Sequence, residues 1–194
     1  MTSPHALIFD CDGTLTDSMP VHYVCWRQTL ARHGIQFDED RFYALGGMPS
    51  EKIVTLLAGE HGLTLVAEQV AAEKEQAFLD TLHLLEPIAA IVEIARQHRG
   101  RKKMAVASGG TRPVIERQLQ HVGVIDWFET IVTAEDTARH KPDPDVFLEA
   151  ARRLGVAPRH CQVYEDSDLG IEAARCAGMP YVDVRDVHRP RRMT

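Results

Sequence analysis

Between residues 86 and 184, short apolar runs alternate with helical patterns, and that alternation restricts the fold more than any other feature. The runs fall at 104–107, 130–133, 162–164 and 181–184, each too short for a helix and bounded by turn residues. Between them, Ile88, Ile91, Val92 and Ala95 recur at helical spacing. Ile115, Leu119 and Val122 precede Gly123, and Phe147, Ala150, Ala151 and Leu154 precede Gly155. A last helix is expected from about residue 168 to 177, closed by Gly178. One further apolar run, 6–10, opens the chain. Strands alternating with helices require a parallel sheet covered on both faces, and right-handed crossovers bring every strand's C-terminal end to one edge.

Residues 17–84 break the alternation and read as successive helices. One spans 21–33, carries Val24, Trp26 and Leu30, and stops at Gly34. After a loop at Gly46, Gly47, Met48 and Pro49, Ser50 is expected to cap a helix with Ile53, Leu56 and Leu57 on one face. A long helical pattern, or two, follows over 66–85. The expected fold is therefore α/β: a Rossmann-like doubly wound parallel sheet, formed by 1–16 and 85–194, with an inserted all-helical cap at 17–84.

The strand ends carry an unusual choice of polar residues. Asp10 and Asp12 follow the first run, Ser108 and Gly109 the second, Lys141 comes after the third, and Glu165 and Asp166 follow the fourth. Each alone has a plain reading. Asp12-Gly13 is a favoured turn, Ser108-Gly109-Gly110 is a turn as well, and a single lysine is ordinarily a surface group. Together at the edge where open α/β sheets bind ligands, they suit phosphoryl transfer. A phosphate ester repels nucleophiles, so a site needs a divalent cation, a fixed positive charge and hydrogen-bond donors. Asp10, Asp12 and Asp166 are hard oxygen donors of the kind Mg²⁺ prefers.

These residues resemble a known signature. Asp10-Cys11-Asp12-Gly13-Thr14-Leu15, then Ser108, then Lys141 in KPDPDVF, then Glu165-Asp166 in YEDSDLGIEAARCAG are similar, in order, to the motifs of the haloacid dehalogenase-like superfamily. The helical insert resembles the cap of its β-phosphoglucomutase-like subgroup. The resemblance implies that Asp10 attacks phosphorus and that Asp12 protonates the leaving alcohol and then activates water, keeping a proton while Asp10 stays ionised. It implies that Ser108, Gly109 and Lys141, with Gly13, hold the phosphoryl group. Mg²⁺ would be bound by Asp10, the Asp12 carbonyl and Asp166, with Glu165 as a further ligand through water.

Substrate choice is expected from the cap, with His22, Trp26, the 46–50 loop and Lys74 as candidates. Trp26 reads first as a packing residue of a helix core, and Lys74, between Glu73 and Glu75, as part of a solvated helix face unless the resemblance, whose sugar-phosphate members place a cap lysine near this point, puts it in the site. Mutase relatives resemble this chain but carry an arginine where Ser50 stands, and some carry a serine where Gly110 stands. The expectation is a Mg²⁺-dependent phosphatase of a small sugar monophosphate, similar to fructose-1-phosphate phosphatases. The alternatives are a β-phosphoglucomutase-type mutase and a non-catalytic phospholigand-binding protein.

Composition excludes other classes. Twenty-eight acids against 22 Lys plus Arg give a net charge of −6, which disfavours nucleic acid as the main partner. No run approaches the roughly 20 apolar residues of a membrane span. Residues 1–5 lack the basic start of a signal peptide, so a cytoplasmic monomer or weak dimer is expected. Cys11, Cys25, Cys161 and Cys176 are expected to be reduced core or near-core residues. The ten histidines show no metal-site spacing, and the arginine-rich stretch 185–194 is expected to be a surface tail.

Overall fold

The computed structural model describes residues 4–193; Met1–Ser3 and Thr194, which fall in the leader reading and the tail reading respectively, lie outside the described residues. Five parallel strands form one sheet: β1 (Ala6–Phe9), β2 (Lys103–Ala107), β3 (Thr130–Val132), β4 (Cys161–Glu165) and β5 (Tyr181–Asp183). Their order is β3-β2-β1-β4-β5. The chain builds outward from β1 to β3, then returns to place β4 on the other side of β1. Direction reverses between β1 and β4, and a crevice at that switch point is where such sheets bind ligands. In the register, Phe9 pairs with Val106 on one side and Tyr164 on the other. Asp10 and Glu165 therefore leave the sheet side by side.

Among the described residues, eight α-helices complete the fold: α1 (Met19–Arg32), α2 (Glu39–Ala44), α3 (Ser50–Glu60), α4 (Ala67–Leu79), α5 (Ala89–His98), α6 (Arg112–His121), α7 (Asp145–Leu154) and α8 (Asp168–Cys176). Alternation along β1 sorts its side chains between two cores. Ala6 and Ile8 pack with Phe147, Ala150 and Ala173 under α7 and α8. Leu7 and Phe9 pack with Ile91, Ile115 and Leu119 under α5 and α6. Burying each such large apolar side chain contributes about 1.5–3 kcal/mol, which fixes the strand whose end carries Asp10.

Helices α1–α4 lie over the C-terminal edge of the sheet and have a core of their own, with Trp26, Leu30, Phe42, Val54, Leu57 and Val70. The two connections to this layer run side by side. Asp17 N–H donates to the Glu86 carbonyl at 2.9 Å, and Ile88 N–H to the Leu15 carbonyl at 3.0 Å.

Several local expectations are corrected. Ser50 does not cap α3. Pro49 occupies the N-cap, and the Ser50 hydroxyl instead donates to Glu75 Oε1 at 2.5 Å. The short helix α2 has no counterpart in the sequence reading, although Asp38 marks its start by accepting from Arg41 N–H at 2.8 Å. The pattern over 66–85 divides in two, α4 ending at Leu79 and a 3-10 turn following over Leu82–Leu84. Cys176 is exposed, while Cys11, Cys25 and Cys161 are buried thiols. The arginine-rich tail follows the surface back to the helical layer. There Arg192 lies 4.1 Å from the Tyr43 ring centroid and pairs with Asp40 at 2.9 Å. Among the described residues, no helix is long and apolar enough to cross a membrane.

Candidate active site

Asp10 sits one residue past β1, its N–H held by the Tyr164 carbonyl at 3.0 Å. Lys141, brought in by the loop before α7, reaches the same point. Its Nζ donates to Asp10 Oδ1 and Glu165 Oε2, both at 2.6 Å, and all three side chains are buried. Burial alone would lower the lysine's pKa, but the two carboxylates outweigh it and hold the ammonium charged. Glu165 Oε1 accepts from Asp166 N–H, Ser167 N–H and the Ser167 hydroxyl at 3.1, 2.9 and 2.8 Å. Both Glu165 oxygens are thus engaged by protein donors, and its evident work is to anchor Lys141 and the start of α8.

Asp166 completes a cluster. One carboxylate oxygen each of Asp10, Glu165 and Asp166 lies within 4.8 Å of the others. Burial, reinforced by Glu165, pushes Asp166 up to about 8 despite a hydrogen bond from Thr14 at 3.0 Å and the charge of Lys141. Burial also pushes Asp10 well above the carboxylate range, with Glu165, Asp166 and Asp12 adding to it against the pull of Lys141. Acids that hold protons this tightly, with one lysine among three, make a site short of positive charge. A small divalent cation with a preference for oxygen fits that donor set. The Asp12 carboxylate is not part of this cluster.

Asp12 faces the other way. Its Oδ1 accepts from the Ser18 hydroxyl at 2.6 Å, Gln118 Nε2 at 2.9 Å and, across the gap to the helical layer, His22 Nε2 at 2.8 Å. Burial would raise its pKa, but the His22 charge and these bonds overcome it and hold the carboxyl well below its usual range. Three donors on one oxygen thus stabilise the ionised form of Asp12. His22 is fixed by stacking on Phe78 at 3.7 Å between centroids, while its Nδ1 is buried without a partner. Gln118 and Ser18 are absent from the sequence reading. Gln118 is fully buried on α6 and also accepts from Thr16 at 2.8 Å. An amide at helical spacing among apolar neighbours was the available signal.

The other expected residues divide. Ser108 is buried, and its oxygen accepts from Gly110 N–H at 3.1 Å, which leaves its hydroxyl hydrogen for another acceptor. Gly109 meets the helical layer through bare backbone. A Cβ there would lie 2.5 Å from the Gly47 carbonyl oxygen. Gly13, with φ +79°, spends its N–H on the Thr16 carbonyl at 2.9 Å. What it contributes is room: a Cβ there would lie 2.2 Å from Asp166 Oδ2. Lys74 is buried, with Nζ 5.2 Å from the Trp26 ring centroid and 3.3 Å from Glu75 Oε1. It is no solvated face, and Trp26 serves both the layer's core and the cavity wall. The cavity measures about 80 Å³, and Asp10, Asp12, Ser108, His22, Lys74 and Glu75 are among its lining residues.

Residues 4–178 match the family described as haloacid dehalogenase-like hydrolase. The chain belongs to that family. This haloacid dehalogenase-like hydrolase is 40% identical to a fructose-1-phosphate phosphatase of Escherichia coli, over 92% of its own length and 95% of the relative's. It is 28% identical to a phosphorylated carbohydrates phosphatase of Thermotoga maritima, over 90% and 82% of the two chains. Among solved structures, a β-phosphoglucomutase of Clostridium difficile superposes with a TM-score of 0.84 at 26% identity, covering 93% of this chain and 84% of that one. The hydrolase thus carries its buried acids, lysine and serine at the sheet edge that open α/β folds use for ligands.

Proposed function

We propose that this enzyme hydrolyses a small sugar monophosphate through an aspartyl-phosphate on Asp10, with residues 17–84 acting as a cap over the site. The observation that carries the reading is the convergence of Asp10, Lys141, Glu165 and Asp166 from three separate strand ends onto one buried point. Asp10, Asp166 and the Asp12 main chain would hold Mg²⁺, with Glu165 behind them. When bound, the cation supplies the positive charge that neutralises phosphoryl oxygens and keeps Asp10 ionised.

The chain's own residues then divide the reaction. Lys141 and the Ser108 hydroxyl hold phosphoryl oxygens. An Asp10 oxygen forms a bond to phosphorus as the ester P–O bond breaks, and the leaving oxygen takes the proton that His22 Nε2 shares with Asp12 Oδ1. Asp12 then accepts a proton from water, which restores the shared proton of that hydrogen bond. That water displaces Asp10 from phosphorus and releases inorganic phosphate. Burial under the helical layer excludes bulk water from the first step.

The phosphatase of Escherichia coli, at 40% identity over nearly both whole chains, supports a fructose-1-phosphate-like substrate. Where mutase relatives place an arginine, this chain has Ser50, whose hydroxyl is turned to Glu75, and the neighbouring Lys74 is paired with that same carboxylate. The test is release of inorganic phosphate from a panel of sugar monophosphates, with Mg²⁺ and with excess chelator. Release from at least one ester that stops on chelation is expected. Silence across the panel with Mg²⁺ present overturns the reading.

A further inference from the structure

Glu75 stands where no requirement of the chemistry places it. Its carboxylate is 16% exposed and projects from α4 between two spaces. One is the cavity of about 80 Å³ at the acid cluster; the other is a groove of about 600 Å³ between the helical layer and the sheet edge. Ser50, Glu75, Gly109 and Val114 wall both. On one side Glu75 is well held, since Oε1 accepts from the Ser50 hydroxyl at 2.5 Å and from Lys74 Nζ at 3.3 Å. On the other side Oε2 is buried with no hydrogen-bond partner. The Lys74 ammonium, the nearby His22 and the Ser50 bond outweigh burial and keep the group ionised. An ionised, buried oxygen without a donor is costly, and it is answered by any ligand that brings a hydroxyl hydrogen.

We propose that Glu75 is the specificity-determining residue of the leaving-group side, accepting a hydroxyl of a neutral polyol monophosphate and rejecting esters that carry a second anionic group. The inference rests on the phosphatase reading above and narrows it. The phosphoryl group occupies the smaller cavity, and the carbon chain passes Glu75 toward the groove. A hydroxyl there donates to Oε2. A second phosphate or a carboxylate in that hydroxyl's place would meet the same oxygen charge to charge; Lys74 is already paired with Glu75, and the groove's other lysine, Lys52, stands on its exposed wall. A site built to hydrogen-bond a hydroxyl also rejects the analogue that lacks it, because its own polar group is then left unanswered.

The experiment compares kcat/KM for sorbitol 6-phosphate, hexyl phosphate and fructose 1,6-bisphosphate in the wild-type enzyme and in Glu75→Gln and Ser50→Ala. The first two esters share chain length and differ in hydroxyls; the third adds the second anion. In the wild type, the polyol ester is expected to exceed hexyl phosphate and the bisphosphate. In Glu75→Gln, the preference over each is expected to shrink at least tenfold. Ser50→Ala, which loosens the same carboxylate from the other side, is expected to shrink both about threefold. Thermal unfolding of each variant checks that it is folded. If Glu75→Gln keeps the wild-type preferences, or the wild type favours the bisphosphate, the role of Glu75 is overturned while the phosphatase reading stands. If the wild type releases phosphate from hexyl phosphate but from no hydroxylated ester, the sugar-phosphatase reading itself fails.

Discussion

The two walls of the active site are built on opposite plans. On the sheet side, Asp10, Lys141 and Glu165 satisfy one another at 2.6 Å, and backbone amides and Ser167 fill the remaining lone pairs of Glu165. Two glycines give the acids their space. A Cβ on Gly13 would collide with Asp166 at 2.2 Å, and one on Gly170 with Glu165 at 2.0 Å. On the helical side, His22 Nδ1 and Glu75 Oε2 are buried and unanswered. The difference bears on the proposed reaction. The wall assigned there to the phosphoryl group holds Lys141 and Glu165 fully engaged with each other and with Asp10. The wall assigned to the variable part of a substrate keeps open polar atoms.

The strongest way to break this contrast is Asp10→Asn. If the sheet wall carries the chemistry, kcat for p-nitrophenyl phosphate should fall at least about 1,000-fold with the fold intact by circular dichroism. A loss of less than about tenfold would remove Asp10 from the nucleophile's role. Next in size is Lys141→Met, which leaves two buried carboxylates without their cation. Breaking a buried pair this way costs about 3–5 kcal/mol, so the melting temperature in chelator should drop on the order of 10 °C. An unchanged melting temperature would mean that the sheet wall is not bound together by its charges.

Between the walls stands Asp12, and Gln118→Leu tests its attachment. Removing one hydrogen bond to an ionised group should lower kcat roughly 10- to 100-fold, with little change in KM as measured by initial rates. An equal rise in KM would instead place Gln118 in substrate binding. The smallest effect belongs to an ion pair outside both walls. Arg152 and then Arg153 hold the Glu149 carboxyl at about 2, below its ordinary 4.5. Its folded pKa is depressed, so its stabilisation is present above pH 4.5 and lost as pH falls from 4.5 toward 2. The pair is solvent-screened, so Glu149→Gln should lower the melting temperature by less than about 2 °C at pH 7. The two proteins should converge below about pH 2 in parallel thermal melts.

The same contrast explains what was legible in the sequence. Every group of the sheet wall follows a strand end, and strand ends can be found from apolar runs and turn residues. Asp10, Ser108, Lys141, Glu165 and Asp166 could be gathered before any coordinate was known, because parallel topology sends them to one edge. The helical wall has no such rule. Glu75 read as one more charge in Glu73-Lys74-Glu75, and nothing local shows that α4 turns it inward to meet Ser50 from 25 residues away. Ser50 looked like a cap for the same reason. Gln118 lies 106 residues from Asp12, and only the packing of α6 beneath the linker brings them together. The tail lies on the surface as its composition suggests, but the contacts of Arg192 with Asp40 and Tyr43 were not legible, because they belong to α2, a helix of six residues too short to announce itself.

The meeting of Gly109 with Gly47 has one more consequence. Where the helical layer rests on the sheet edge, main chain touches main chain, with 2.5 Å between an added methyl carbon and a carbonyl oxygen. A single methyl group at position 109 would act as a shim, propping the two bodies apart by the thickness of one carbon. The seating of the helical layer is thus set by a side chain that is missing, and a machinist would recognise it as a bearing face cut to clearance.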